Sequence, residues 1–234
     1  MARILFITGT DTGVGKTVLT SLLTRHLHGG RLSVAALKPI ASGNRNDARA
    51  LHSALGRTMA LDAINPWSFR AALSPLLAAS REGKKVRKSE VVTYVRGIAR
   101  CFDLVLIEGA GGLLSPLGED FDSRDLIVSL KAAPLVVVAN RLGAVNQTRL
   151  MLAALPRALA RGVHVVLMNP RRPDAASRTN PELIAGFMPR RQLHEFPWVA
   201  PAQINGTRPI QPAVGRILRV LAEHLNLASV GRGL

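Results

Sequence analysis

The feature that most restricts this chain lies near its start. Four apolar residues, Ile4–Ile7, run into Thr8-Gly9-Thr10-Asp11-Thr12-Gly13-Val14-Gly15-Lys16-Thr17, and apolar residues then recur at 18, 19, 22, 23 and 27. The run reads as a buried strand and the recurrence has helical spacing, so a glycine loop joins a strand to a helix N-terminus. Small residues let backbone N–H groups converge on phosphate oxygens, and the helix end adds a favourable potential. The junction predicts a phosphate-binding loop, with Lys16 on the terminal phosphates and the Thr17 hydroxyl on Mg²⁺. The spacing is a variant: the strict G-x-x-x-x-G-K-T pattern puts glycine at position 10, where this chain has Thr10, and Gly9 lies one residue further out.

The rest of the chain repeats the same alternation. Apolar runs at Ser33–Leu37, Leu104–Ile107, Leu135–Ala139 and Val163–Met168 predict strands, and a weaker one covers Leu193–Phe196. Between and after them, Asp47–Leu55, Leu73–Ala79, Ser89–Ala99, Asn146–Ala160 and Pro212–Leu225 predict helices. Fully apolar, β-branched strands alternating with helices predict an α/β fold: a mostly parallel central sheet with helices on both faces, of the P-loop NTPase kind. A length of 234 residues with 47% hydrophobic content suits one such domain over residues 1–234. Ligands of such sheets sit beyond the carboxyl ends of the strands.

Two further motifs fall at that edge. Lys38-Pro39-Ile40-Ala41-Ser42-Gly43 follows the second strand and reads as a tight loop. Alone, Lys38 would be an exposed loop lysine; beside the phosphate loop it becomes a candidate for the chemistry. Glu108-Gly109-Ala110-Gly111-Gly112 follows the third strand. A carboxylate ending a buried strand next to a phosphate loop is a magnesium-ligand candidate, and the glycines let backbone approach a ligand closely. Asp47 is a second acid, for metal or for N-capping the helix that follows it.

Other classes are excluded by composition. Cys101 is the single cysteine, which leaves no disulfide framework, and beside Phe102–Ile107 it reads as a buried thiol. The longest clean apolar run, Ala132–Ala139, is far short of the ~20 residues a bilayer span needs. Arg3 precedes only a short apolar stretch before the glycine loop, so no signal peptide is expected, and the expected location is cytoplasmic. The formal charge of +16 suggests a polyanion partner, but 25 of the 31 basic residues are scattered arginines and aromatics are only 4%. Nucleic acid is therefore not expected, nor a membrane.

Together, the Thr8–Thr17, Lys38–Gly43 and Glu108–Gly112 motifs resemble those of the dethiobiotin synthetase family, in the same order and approximate spacing over most of the chain. Weaker matches are Arg141–Asn146, Asn169-Pro170 and Phe196-Pro197-Trp198. The resemblance implies an ATP- and Mg²⁺-dependent homodimer with its active site at the subunit interface. Its substrates would be 7,8-diaminononanoate, CO₂ or bicarbonate, and ATP, joined through a carbamate and a carbamic-phosphoric anhydride. Lys38, Lys16 and Thr12 would be catalytic. ATP would lie on Gly13, Val14, Gly15, Lys16, Thr17, Val18, Asp47, Glu108, Gly109, Ala110, Gly111, Asn169, Pro170, Pro197 and Trp198. Ser42, Gly112, Gly143 and Asn146 would hold the substrate, and Thr17, Asp47 and Glu108 the Mg²⁺. Two other P-loop readings stand beside it. One is a partitioning-type ATPase on DNA or membrane, although Asp11 occupies the position of the signature lysine of those ATPases. The other is a related ATP-dependent ligase with another substrate.

Overall fold

The computed structural model describes residues 2–28, 30 and 32–227. Along the chain lie β1 (Arg3–Gly9), α1 (Lys16–His28), β2 (Val34–Leu37), β3 (Ile40–Ser42), α2 (Asn46–Ala54), α3 (Leu61–Ile64) and β4 (Trp67–Phe69). Then follow α4 (Pro75–Arg81), α5 (Lys88–Ala99), β5 (Leu104–Glu108), α6 (Ser123–Leu130), β6 (Ala133–Ala139), α7 (Ala144–Ala154) and α8 (Arg157–Ala160). The last elements are β7 (His164–Met168), α9 (Ala175–Ala185), β8 (Leu193–Phe196), α10 (Pro201–Ile204) and α11 (Pro212–His224).

Six strands form one sheet in the order β2-β5-β1-β6-β7-β8, and every neighbouring pair is parallel. Alternate residues of each strand serve opposite faces. Leu5, Ile7, Leu104, Leu106, Leu135 and Val137 pack with Leu19, Leu22 and Leu23 of α1, Leu51 of α2 and Leu218 and Leu221 of α11. Phe6, Val105, Ile107, Val136 and Val138 pack with Val91 and Val95 of α5, Ile127 of α6, Met151 of α7 and Ile184 of α9. Burial on both faces is why these strands read as continuous apolar runs. The register sets Ile7 opposite both Glu108 and Leu135, so the exits of β5, β1 and β6 open at one edge.

The expected strands are all present. Four other expectations change. Asn146–Ala160 is not one helix: α7 ends at Ala154, and Pro156, which has no N–H to donate, holds Leu155 extended at ψ 145°. The helix expected from Leu73 starts at Pro75, after Ser74 at ψ 143°. The Lys38–Gly43 segment is more than a loop, since β3 pairs in parallel with β4 in a small second sheet, Ile40 opposite Trp67 and Ser42 opposite Phe69. Cys101 is exposed rather than buried, because it lies in the turn between α5 and β5 with its N–H on the Ile98 carbonyl. Among the described residues no helix is long and apolar enough to cross a membrane.

The core prediction is direct. Leu23 is fully buried on α1, and Leu23→Ala should cost about 3 kcal/mol, measured as a lower urea midpoint at unchanged slope. A loss below about 1 kcal/mol would show that this face is not packed as described.

Candidate active site

The loop between β1 and α1 is shaped by its own side chains. A Cβ on Gly9 would lie 2.7 Å from Val14 Cγ2, so only glycine fits there. Gly13 and Gly15 have φ of +75° and +103°, the left-handed region that glycine enters without strain. A Cβ on Gly15 would press on the Met168 side chain at 3.0 Å, which seats the loop against the exit of β7. Lys16 is buried and donates to the carbonyls of Asp11 and Gly111, at 2.7 Å each. It thereby joins the loop after β1 to the loop after β5. Burial, followed by the neighbouring Lys38 charge, lowers the Lys16 pKa to about 8.

The centre of the edge is a lysine–carboxylate cluster. Lys38 Nζ donates to Glu108 Oε1 at 2.7 Å and to the Gly109 carbonyl at 3.0 Å, and it pairs with Asp47 Oδ2 at 2.9 Å. Lys38 and Glu108 are buried, whereas Asp47 is half-exposed. Burial works against the Lys38 ammonium, but Glu108 and then Asp47 outweigh it and raise its pKa. Desolvation likewise opposes ionisation of Asp47, and Lys38 and Thr17 hold its pKa below the usual range. Thr17 Oγ1 donates to Glu108 Oε1 at 2.8 Å, leaving Glu108 Oε2 buried and without a hydrogen-bond partner among the described residues. An orphan carboxylate oxygen beside a threonine hydroxyl and a second carboxylate is a hard-oxygen donor set that fits Mg²⁺. Asp47 does not cap α2: the cap residue is Arg45, and no side chain caps that helix.

The remaining candidates sit around this cluster. Thr12 is exposed on the loop, its N–H held by Asp11 Oδ1 at 2.6 Å, while Val14 is buried and Val18 half-buried. Gly109 donates to the Ile7 carbonyl, and a Cβ there would lie 2.9 Å from the Phe6 ring. Gly111 has φ +67° and lies against Ser115, whose Oγ accepts the Gly112 N–H at 2.9 Å. Ala110 is half-buried in the same loop. Ser42 donates to the Leu73 carbonyl. Asn169 follows β7, donates its N–H to the Phe196 carbonyl and accepts from Asn140 Nδ2, with Pro170 next to it. Pro197 and Trp198 follow β8, and the Arg171 guanidinium lies 5.3 Å from the Trp198 ring centre. Gly143 and Asn146 are exposed at the start of α7.

Two positioning residues escaped the sequence reading. Asn65 is buried, and its Nδ2 donates to the carbonyls of Lys38 (2.8 Å), Pro39 and Trp67 (3.3 Å each). Ser115 clips the Gly111-Gly112 backbone. The only local hint was the Asn65-Pro66 pair, a turn signal.

Comparison with known proteins gives the family. A family model described as an AAA domain matches residues 3–203. The ATP-dependent dethiobiotin synthetase of Anaeromyxobacter dehalogenans (strain 2CP-C) is 39% identical, over 84% of this chain and 90% of its own. The enzyme of that name from Bacillus subtilis (strain 168) is 31% identical over 95% of each chain. The chain belongs to the dethiobiotin synthetase family. As a member of that family it is an ATP-dependent ligase built on a P-loop fold. The fold is also that of a ParA family ATPase from Chlorobium tepidum, with a TM-score of 0.61 at 13% identity, covering 96% of this chain and 100% of that one. A chain of the MinC:MinD cell division protein complex of Aquifex aeolicus is similarly close, with a TM-score of 0.62 at 18% identity, covering 100% of this chain and 98% of that one. At such identities the likeness concerns the fold alone.

The synthetase's lysine cluster makes a stability prediction. Removing one member of a buried ion pair strands the other charge. Lys38→Met should therefore cost about 3 kcal/mol or more, whereas Asp47→Asn, at a half-exposed site, should cost under about 1 kcal/mol. Urea unfolding of both variants decides it; equal small losses would show that Glu108 is solvated.

Proposed function

We propose that this protein closes the ureido ring of dethiobiotin from 7,8-diaminononanoate, CO₂ and ATP, releasing ADP and phosphate. The observation that carries the reading is the meeting of Lys16, Thr17, Lys38, Asp47 and Glu108 beside a phosphate loop, in a chain of this family.

The chemistry divides into three bond-forming steps. One amine nitrogen of the diamine attacks CO₂ and loses a proton, giving a carbamate. A carbamate oxygen takes the γ-phosphoryl group of ATP, with ADP leaving. The second amine then attacks the carbamic carbon, loses a proton and expels phosphate. The attacking amines must be neutral, and positive charge at Lys16 and Lys38 lowers the pKa of an ammonium bound nearby. The same two cations stabilise the carbamate and the charge on the transferring phosphoryl group. Thr12 and Ser42 offer hydrogen bonds to the carbamate or diamine end, and Gly112 borders the substrate. Backbone groups of Gly13–Val18 take the phosphates, with Gly109, Ala110 and Gly111 across the loop. Asn169 reads the adenine edge, and Pro170, Pro197 and Trp198 border the base. Mg²⁺, held by Thr17, Asp47 and Glu108, would neutralise phosphate charge and orient the γ-phosphoryl group.

Assembly as a homodimer belongs to the same proposal. Leu142 is 85% exposed and Leu150 62%, and Leu183 and Phe187 are also exposed on or beside the adjoining α7 and α9. Such apolar groups suit burial against a second copy, which would let Gly143 and Asn146 reach the partner's substrate carboxylate.

The purified protein should form dethiobiotin from the diamine, bicarbonate and Mg-ATP. Absence of product from folded, dimeric protein would sink the proposal. Lys16→Ala should lower kcat roughly 10²-fold, by analogy with loss of one preorganised donor. A loss below about threefold would remove Lys16 from the mechanism.

A further inference from the structure

Three of the six histidines of this chain converge at a place no step of the proposed reaction uses. His164 opens β7, His194 is the second residue of β8 and His224 closes α11. His164 Nδ1 and His194 Nε2 are 2.9 Å apart, and the His224 ring centre lies 5.9 and 5.6 Å from theirs. One ring nitrogen from each of the three falls within 4.8 Å of the others. His164 and His194 are buried and His224 is exposed, so the cluster has two walls and one open side.

We propose that His164, His194 and His224 form a binding site for a divalent transition metal of the zinc class. Imidazole nitrogen is the donor that zinc, cobalt(II) and nickel(II) share. With Zn–N bonds of 2.0–2.1 Å, ligand nitrogens around a tetrahedral ion stand about 3.3 Å apart. To reach that spacing the His164–His194 pair, at 2.9 Å, opens by about 0.4 Å, and His224, within 4.8 Å of both, closes by at most about 1.5 Å. The contact between His164 and His194 requires one nitrogen to donate and the other to offer a lone pair. A bound ion takes a lone pair from both nitrogens, the proton between them moving to the other nitrogen of the same ring, so that both imidazoles ligate in the neutral form. No carboxylate is part of the cluster, which favours zinc-like ions over Mg²⁺.

The site is separate from the phosphate loop. Met168, the last residue of β7, packs against Gly15, and His164 stands four residues earlier, about 13 Å along the strand. An ion there would fasten the end of α11 to β7 and β8. Three ligands leave a fourth position for water.

The test is a Co²⁺ titration of the full chain, free of added histidines and stripped of metal, in excess Mg²⁺ to occupy any oxygen-donor site. One equivalent of Co²⁺ should give intense visible d–d absorption that Zn²⁺ abolishes, and saturating Zn²⁺ should raise Tm by at least about 3 °C. His224→Ala removes an exposed ligand, and its fold is checked by circular dichroism. It should weaken Co²⁺ binding at least tenfold with ATP turnover unchanged. Absence of the absorption from the wild-type chain, or equal binding by His224→Ala, overturns the site and leaves a packed imidazole cluster. If His224→Ala does not fold, His224→Gln replaces it, and the wild-type spectrum remains decisive on its own.

Discussion

The buried ion pair between Lys38 and Glu108 organises the active edge. Its members leave adjacent strands, since Leu37 pairs with Ile107 and β5 pairs in turn with β1. Placing two charges out of water is unfavourable unless their hydrogen bonds are complete. The ammonium has three donors, and it finds three acceptors in Glu108, Gly109 and Asp47. The carboxylate is less complete, because Oε2 has no hydrogen-bond partner among the described residues. The cluster is thus saturated on its cationic side and open on its anionic side, which is the polarity a divalent cation requires. Lys16 stands beside it with a pKa lowered by burial and by Lys38. A phosphate arriving there would relieve both effects at once.

That ion pair depends in turn on a piece of structure outside the main sheet. Lys38 lies between β2 and β3, and a free loop would let it turn to solvent. The β3–β4 ladder and the Asn65 amide prevent this by holding the carbonyls of Lys38 and Pro39. The Lys38 N–H is held as well, on the Ile64 carbonyl. Arg45 reaches the Leu61 and Asn65 carbonyls and Asp62, which fixes the loop leading to Asp47. Lys38 and Asp47 are therefore both aimed by the segment from Leu61 to Phe69, although no residue of that segment enters the cluster itself.

These dependencies explain what could be read from the chain and what could not. The strands were legible because burial on both faces leaves an unbroken apolar run. The glycine loops were legible because residues such as Gly9 and Gly15 meet local constraints of backbone sign and space. Lys38 was legible only through its order after β2 and its closeness to the phosphate loop. Asn65, β3 and β4 were not, since a three-residue strand carries no periodicity and a side-chain amide serving carbonyls up to 27 residues away leaves no local pattern. The histidine cluster was hidden for the same reason: its members come from three elements that only the sheet brings together. The break at Pro156 was local, and there the helical spacing on either side masked it.

The same fold carries quite different work in its structural neighbours, so the argument for function rests on side chains at the strand exits. Position 11 illustrates this. Where partitioning-type ATPases place their signature lysine, this chain has Asp11, and both polar ends of that residue are turned inward on the loop. Its carboxylate takes the Thr12 N–H at 2.6 Å and its carbonyl takes Lys16 Nζ at 2.7 Å. An aspartate used in this way stiffens the loop. The second positive charge of the site comes instead from Lys38, which follows β2, two strands away, and is locked to Glu108 at the end of the intervening β5. One cation lies on the loop after β1 and the other at the exit of β2, with the end of β5 between them. Two cations at one sheet edge supply the positive charge that the phosphoryl transfer proposed above would draw on.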